Sequence, residues 1–260
     1  TGLQSQKKTC CSAVCAPNAM KKAKIWLITG ACLILIGCFI FGGVMNVLNW
    51  DFKRLSTVKY ETNNYDIDES FKDISIITNT ADIEFIPSNT SKISVNCYEQ
   101  KNLRHSVSVK DDTLVIEVID TRKWYEHIGI NFGSPKITVS IPVAEYGSLS
   151  IKSSTGDIGL LDFFKFKSID ITASTGDVTN LASASHTVKI KLSTGNIVME
   201  SISAGLLDLS VSTGKIMVTE ADCEGDIKVK VSTGKTSLTD IKCENIISSG
   251  STGNLSLKNV

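Results

Sequence analysis

The chain has 260 residues, 42% of them hydrophobic and 21% charged, with only 4 prolines; such a chain can bury a core, which excludes wholesale disorder. Its 27 Lys+Arg and 27 Asp+Glu cancel, which speaks against a nucleic-acid partner, because such proteins carry a basic surplus. The cancellation hides an asymmetry: residues 1–24 hold five lysines and no acid and residues 25–50 no charge, leaving 22 basic against 27 acidic residues over 51–260.

Residues 1–24 read as a cytoplasmic N-terminus. Within them, residues 1–19 fit nothing that follows, and Met20-Lys21-Lys22-Ala23-Lys24 reads as the native start. Cys10, Cys11 and Cys15 lack a nearby histidine and match zinc spacing weakly. Residues 25–48 form an uninterrupted apolar run that as a helix spans roughly 36 Å, enough for a hydrocarbon core of about 30 Å. Lysines before the run place the N-terminus in the cytoplasm and the rest outside, with Trp26 and Trp50 as interfacial anchors. No small-x-small cleavage site follows, so we read a retained transmembrane signal anchor. The competing reading is a lipoprotein, because Leu35-Ile36-Gly37-Cys38 looks like a lipobox; the largely apolar residues after Cys38 weigh against it.

Residues 49–147 read as a β-rich cap. Apolar and polar residues alternate over Ile74–Phe85, Ile93–Cys97, His105–Lys110 and Thr113–Ile119, and Asp111-Asp112 falls where a hairpin turns. Trp124, Tyr125, His127 and Phe132 then form an aromatic segment. Trp124 and Tyr125 are its candidate ligand surface, although packing over the first coil explains the segment as well.

From residue 148 the chain repeats. Ser-Thr-Gly recurs with its glycine at 156, 176, 195, 214, 234 and 253, a spacing of 19 or 20 residues. Seven residues before the glycine stand Leu149, Ile169, Val188, Leu207, Ile227 and Ile246; two after it stand Ile158, Val178, Ile197, Ile216, Thr236 and Leu255. Two strands flanking a turn therefore share one buried face. Gly156, Gly176, Gly195, Gly214, Gly234 and Gly253 are the structural repeat turns, where positive φ is expected. Six residues before the glycine the column reads Ser150, Asp170, Lys189, Asp208, Lys228, Ile247, so opposite charges alternate from unit to unit. Stacked coils would set each Asp beside a Lys, worth roughly 0.2–1 kcal/mol per pair, whereas a meander gives no reason for the alternation. We read an all-β fold over 148–260: a β-solenoid, β-helix-like, of 19–20-residue repeats. Asn79-Thr80-Ala81-Asp82 makes 74–85 a degenerate first coil. No cap follows Gly253, so the array reads as truncated at its C-terminus.

These residues, together with the segment Lys123–Val139 and the lysine-rich start, resemble the bacterial "putative adhesin" β-strand-repeat family, a domain of unknown function in Gram-positive, membrane-anchored envelope proteins. The resemblance runs from about residue 20 to the end. It implies a surface-exposed, membrane-tethered β-solenoid and supplies no catalytic residues.

No convergent catalytic group stands out, so we expect no enzyme, no cofactor and no metal. His105, His127 and His186 lie in unrelated segments and read as surface or packing histidines. Asp157 and Asp177 share a turn position that could bind calcium, but Asn196, Lys215 and Lys235 continue the column, and the turn role is preferred. Cys223 and Cys243 fall at equivalent places in neighbouring coils, a stacked thiol pair or a disulfide, with free thiols preferred. The functional reading is a non-enzymatic extracellular binding or adhesion module on the cell membrane. Its partners are the membrane through residues 25–48 and a cell-wall glycan, a host surface or an envelope membrane protein. A cell-envelope stress sensor or scaffold is the alternative, and a carbohydrate-active β-helix enzyme the weaker one.

Overall fold

The computed structural model describes residues 17–51, 58–124 and 133–260, with side chains from Lys24 onward. It divides into a helical unit and a β unit.

The helical unit is α1 (Pro17–Val47), with proline at its first position, where the missing N–H costs no helical bond. Its segment Lys24–Val47 has a mean hydropathy of 2.4 and is long and apolar enough to cross a membrane. Apart from the buried Met45, its large apolar side chains from Ile25 to Val47 point outward, and the helix runs unbroken through Cys38. It stops where Asn49 (φ 52°) and Trp50 (φ 58°) turn left-handed and the Trp50 N–H donates to the Met45 carbonyl at 2.8 Å.

The β unit begins with β1 (Tyr60–Ile67), β2 (Asp73–Thr80), β3 (Asp82–Ser88), β4 (Ile93–Gln100), β5 (Leu103–Lys110), β6 (Thr113–Asp120) and β7 (Lys136–Pro142). Then come β8 (Glu145–Thr155), β9 (Ile158–Leu160), β10 (Lys165–Thr175), β11 (Val178–Asn180), β12 (Ser183–Cys223), β13 (Ile227–Lys242) and β14 (Ile246–Lys258). From β8 onward the chain is a β-solenoid. Each coil lies parallel on the last with repeat positions in register: Ile169 opposite Leu149 and Val188, Gly214 opposite Gly234, Gly234 opposite Gly253.

Burial shows how a coil turns. Inward residues alternate along Val188, Ile190 and Leu192, resume in the other phase at Ile197 and Met199, shift phase to Ile202 and Ala204, and shift again at Leu207. Three phase breaks in this coil make three corners. The first is the Ser-Thr-Gly turn. The second lies six residues after the glycine, where Ser201, Glu220, Asp240 and Asn259 all have φ between 51° and 55°. Sequence reasoning missed this corner, because only Asp and Asn among these residues favour that conformation. The third lies nine before the next glycine, where the Gly225 N–H donates to the Gly205 carbonyl at 2.9 Å.

The degenerate coil is in register with the repeats: Ile74, Ile76 and Thr80 of β2 face Leu149, Ile151 and Thr155 of β8. It is first in sequence but not in space. β6 and β7 lie parallel on the far side of β2 and β3, pairing Ile76 with Ile116 and Ile83 with Ile137. The chain thus lays down an inner coil, leaves it, and returns to build a coil outside it. Pairing then turns antiparallel: β5 on β6, β4 on β7, and β1 on β4. Asp111 and Asp112, at φ 48° and 59°, make the tight β5–β6 hairpin turn whose primed geometry suits strand twist. Phe85, Phe164, Phe166 and Tyr146 fill the core at this end, and Phe164 meets Phe85 edge-on at 6.1 Å.

Candidate functional site

The Ser-Thr-Gly glycines form one column with φ between 133° and 156°, a region closed to residues with a Cβ. Close approach adds a second reason. A Cβ on Gly195 would overlap the carbonyl oxygen of Gly176 in the coil beneath.

The residue after the glycine stitches coils together. The Asp157 N–H donates to the Asp82 carboxylate at 2.9 Å, the Asp177 N–H to Asp157 at 2.8 Å, and the Asn196 N–H to Asp177 at 2.8 Å. These carboxylates already serve as acceptors for the neighbouring turn, so Asp157 and Asp177 are bonded into the stack and do not converge as an isolated pair. At the second corner, Ser201 donates to Glu220 at 2.8 Å and Asn259 to Asp240 at 2.7 Å.

Register places Asp170 opposite Lys189 and Asp208 opposite Lys228, as the charge alternation implies. None of these four takes part in an ion pair found among the described residues. Lys189 and Lys228 are exposed, and the entropy of fixing a long side chain cancels a weak, screened attraction.

Cys223 and Cys243 occupy neighbouring coils one position beyond the paired residues Asp222 and Lys242, and both are free thiols. The Cys223 thiol is buried and donates to the Gly205 and Asp226 carbonyls at 3.5 and 3.6 Å. Burial raises the pKa of both thiols, which makes them poor nucleophiles.

Trp124 lies between β6 and β7, on the turn side of the outermost parallel coil, and is 78% exposed. Tyr125, His127 and Phe132 lie outside the described residues. The flank of this loop is held where Tyr60 Oη donates to the Gly133 carbonyl at 3.1 Å.

His186 is exposed at the third corner, but His105 is buried in a polar network that sequence reasoning did not assemble. Its Nδ1 and its backbone nitrogen each lie 2.7 Å from Glu99 Oε2, and its Nε2 lies 2.8 Å from Thr78 Oγ1. Asn63 Nδ2 donates to Glu99 Oε1 at 2.7 Å, and Tyr65 Oη donates to the His105 carbonyl at 2.9 Å. Hydroxyl, imidazole and carboxylate stand in the order a nucleophilic triad uses, yet all three are buried. The Cys97 thiol joins Glu99 and His105, with ligand atoms within 4.8 Å of one another, a set that could ligate a metal. Ligation would have to open the His105–Glu99 bond and deprotonate a thiol that burial pushes up to about 12. The hydrogen bonds suit a polar clasp tying β4 and β5 to β2, with no buried side-chain polar atom unpartnered among the described residues.

The chain is similar to several solved structures. A crystal structure named a putative adhesin from Bacteroides fragilis covers 78% of this chain and 97% of its own, at 21% identity and a TM-score of 0.47. A putative cell adhesion protein from Clostridium sporogenes covers 78% and 99%, at 11% identity and 0.41. A putative lipid binding protein from Parabacteroides distasonis covers 76% and 96%, at 15% identity and 0.35. Among curated proteins none matches the chain. Residues 71–229 match the family model Toastrack DUF4097, from β2 into β13, and the chain therefore belongs to the Toastrack DUF4097 family.

Proposed function

We propose that the protein is a non-enzymatic surface binding module, held in the cell membrane by α1 with its N-terminus in the cytoplasm and its solenoid outside. The exposed apolar side chains of α1, from Ile25 to Val47, support the anchor, and Lys21, Lys22 and Lys24 support the orientation. The observation that carries the binding reading is the in-register stacking of coils, which offers the same outward groups repeatedly along one side. Repetition turns weak single contacts into useful avidity. The triad-like cluster does not favour an enzyme, since His105, Glu99 and Thr78 are at most 4% exposed and bond one another.

The test is capture by the full chain in non-ionic detergent, from cell-wall fragments, host matrix and the membrane proteome of its own cell, with a glycan array alongside. Saturable retention of a glycan or matrix component supports the module and directs mutagenesis to Trp124 and Tyr125. Retention of one membrane protein of the same cell, with no glycan bound, would replace it with an envelope sensor or scaffold.

A further inference from the structure

The long strand that precedes each Ser-Thr-Gly turn shows two outward columns, six and four residues before the glycine. Reading along the stack, the coils carry Ser150 and Lys152, Asp170 and Thr172, Lys189 and Lys191, Asp208 and Ser210, Lys228 and Lys230. Every second coil is therefore basic. Lys152, Lys189, Lys191, Lys228 and Lys230 are all exposed, and none is in an ion pair or side-chain hydrogen bond found among the described residues.

The rest of the solenoid has the opposite balance. This strip holds five lysines and two aspartates; elsewhere over 148–260 there are six lysines and ten acids. Acids collect at the other corners, as Glu220 and Asp240 at the second and Asp222, Glu224, Asp226 and Glu244 around the third. A local positive field thus sits on a mildly acidic body, which concentrates an anion there and not elsewhere.

Spacing narrows the partner. Coils stack about 4.8 Å apart, so lysine-bearing coils recur about every 10 Å, while the two lysines of one coil stand about 7 Å apart along the strand. Asp170 and Asp208 fill the intervening rungs and repel a chain charged at every rung. A small anion gains little from lysines spread over five coils in an open face. A linear polymer with widely spaced negative charges satisfies both columns.

We infer that the face bearing Lys152, Lys189, Lys191, Lys228 and Lys230 binds a linear acidic polysaccharide carrying about one carboxylate per disaccharide. This rests on the binding-module reading above and names its surface and ligand class.

The experiment measures binding of the full chain in non-ionic detergent to hyaluronate, which has that charge spacing, to neutral dextran, and to phosphatidylcholine vesicles containing phosphatidylglycerol. Hyaluronate binding that weakens as salt is raised, with dextran unbound, is the expected result. Lys189→Gln/Lys191→Gln/Lys228→Gln/Lys230→Gln should weaken it about tenfold or more. The same charge change placed elsewhere, Lys165→Gln/Lys215→Gln/Lys235→Gln/Lys258→Gln, should leave it within about twofold, and circular dichroism checks that both variants keep the β spectrum. Equal loss in the two variants, or vesicle binding without hyaluronate binding, overturns the inference. If the strip variant captures envelope material as the unaltered chain does, the strip is wrong and the binding module stands; if neither captures anything, both readings fail.

Discussion

The Asp157 carboxylate accepts the backbone N–H of Asp177 one coil away at 2.8 Å, and Asp177 does the same for Asn196. A side chain in one coil thereby completes the backbone of the next, so the residue after each glycine acts between coils. Asp177 also accepts from Asn196 Nδ2 at 3.0 Å. Replacing Asp177 with Ala should cost about 1–2 kcal/mol, because hydrogen bonds to a charged acceptor exceed neutral ones. Lys215→Ala, at the equivalent turn without a carboxylate, should stay within about 0.5 kcal/mol. Urea denaturation of both variants checks this; equal midpoints would mean that the ladder contributes nothing.

Glycine is required at the turn but not throughout the coil. Gly195→Ala should cost at least about 2 kcal/mol, since the new Cβ meets both the positive φ of 138° and the Gly176 carbonyl. Gly159 has ordinary φ, and the nearest atom to a Cβ there is the Ile83 carbonyl oxygen at 4.0 Å, so Gly159→Ala should be neutral or slightly stabilising. Thermal unfolding separates the two.

These turns were legible because a solenoid writes its third dimension into its period: like residues at one spacing become neighbours. The β5–β6 hairpin was legible for a local reason, since Asp111-Asp112 adopts φ > 0 readily between alternating strands. What escaped was non-local or conformationally unmarked. That β6 and β7 stack outside β2 and β3 has no period to announce it. Asn180 breaks the apolar column of Leu160, Met199 and Val218, yet its amide donates to the Ala182 carbonyl at 3.0 Å and accepts the Ala182 N–H at 3.3 Å. The clasp left a partial trace: Val95, Cys97 and Glu99 alternate inward, and Leu103 and His105 do so on the next strand, so an inward acid and an inward imidazole had to meet. Its third member, Thr78, lies 27 residues from His105 and gives no such trace.

Glu99 is the hub of that clasp, and its removal should hurt most. Glu99→Ala leaves the His105 backbone N–H, the imidazole and the Asn63 amide without their acceptor, a loss of about 3 kcal/mol or more. Thr78→Val, which keeps shape and removes one bond, should cost about 1 kcal/mol. The exposed Glu117→Ala on β6 serves as the reference and should shift little. Urea midpoints in that order support a structural clasp, whereas a Glu99→Ala protein as stable as the parent would mean that these groups are kept for some other purpose.

Burial also sets a limit at high pH. Desolvation, with the Glu99 charge adding to it, raises the Cys97 thiol from its ordinary 9.0 to about 12, and desolvation raises the Tyr146 hydroxyl from 10.0 to about 12. Between the ordinary and folded values the unfolded chain has lost these protons while the folded chain keeps them, so the unfolded state binds fewer protons and stability falls as pH rises. The contribution is whole below about pH 9 and is lost towards pH 12, at up to about 1.4 kcal/mol per pH unit for each group. Cys97→Ala removes one of these groups at the cost of a small cavity. Its stability should therefore start lower at pH 7 and fall less steeply from pH 9 to 12 than that of the parent. Denaturation midpoints across that range decide the matter, and parallel slopes for parent and variant would show that the thiol is not the group being titrated.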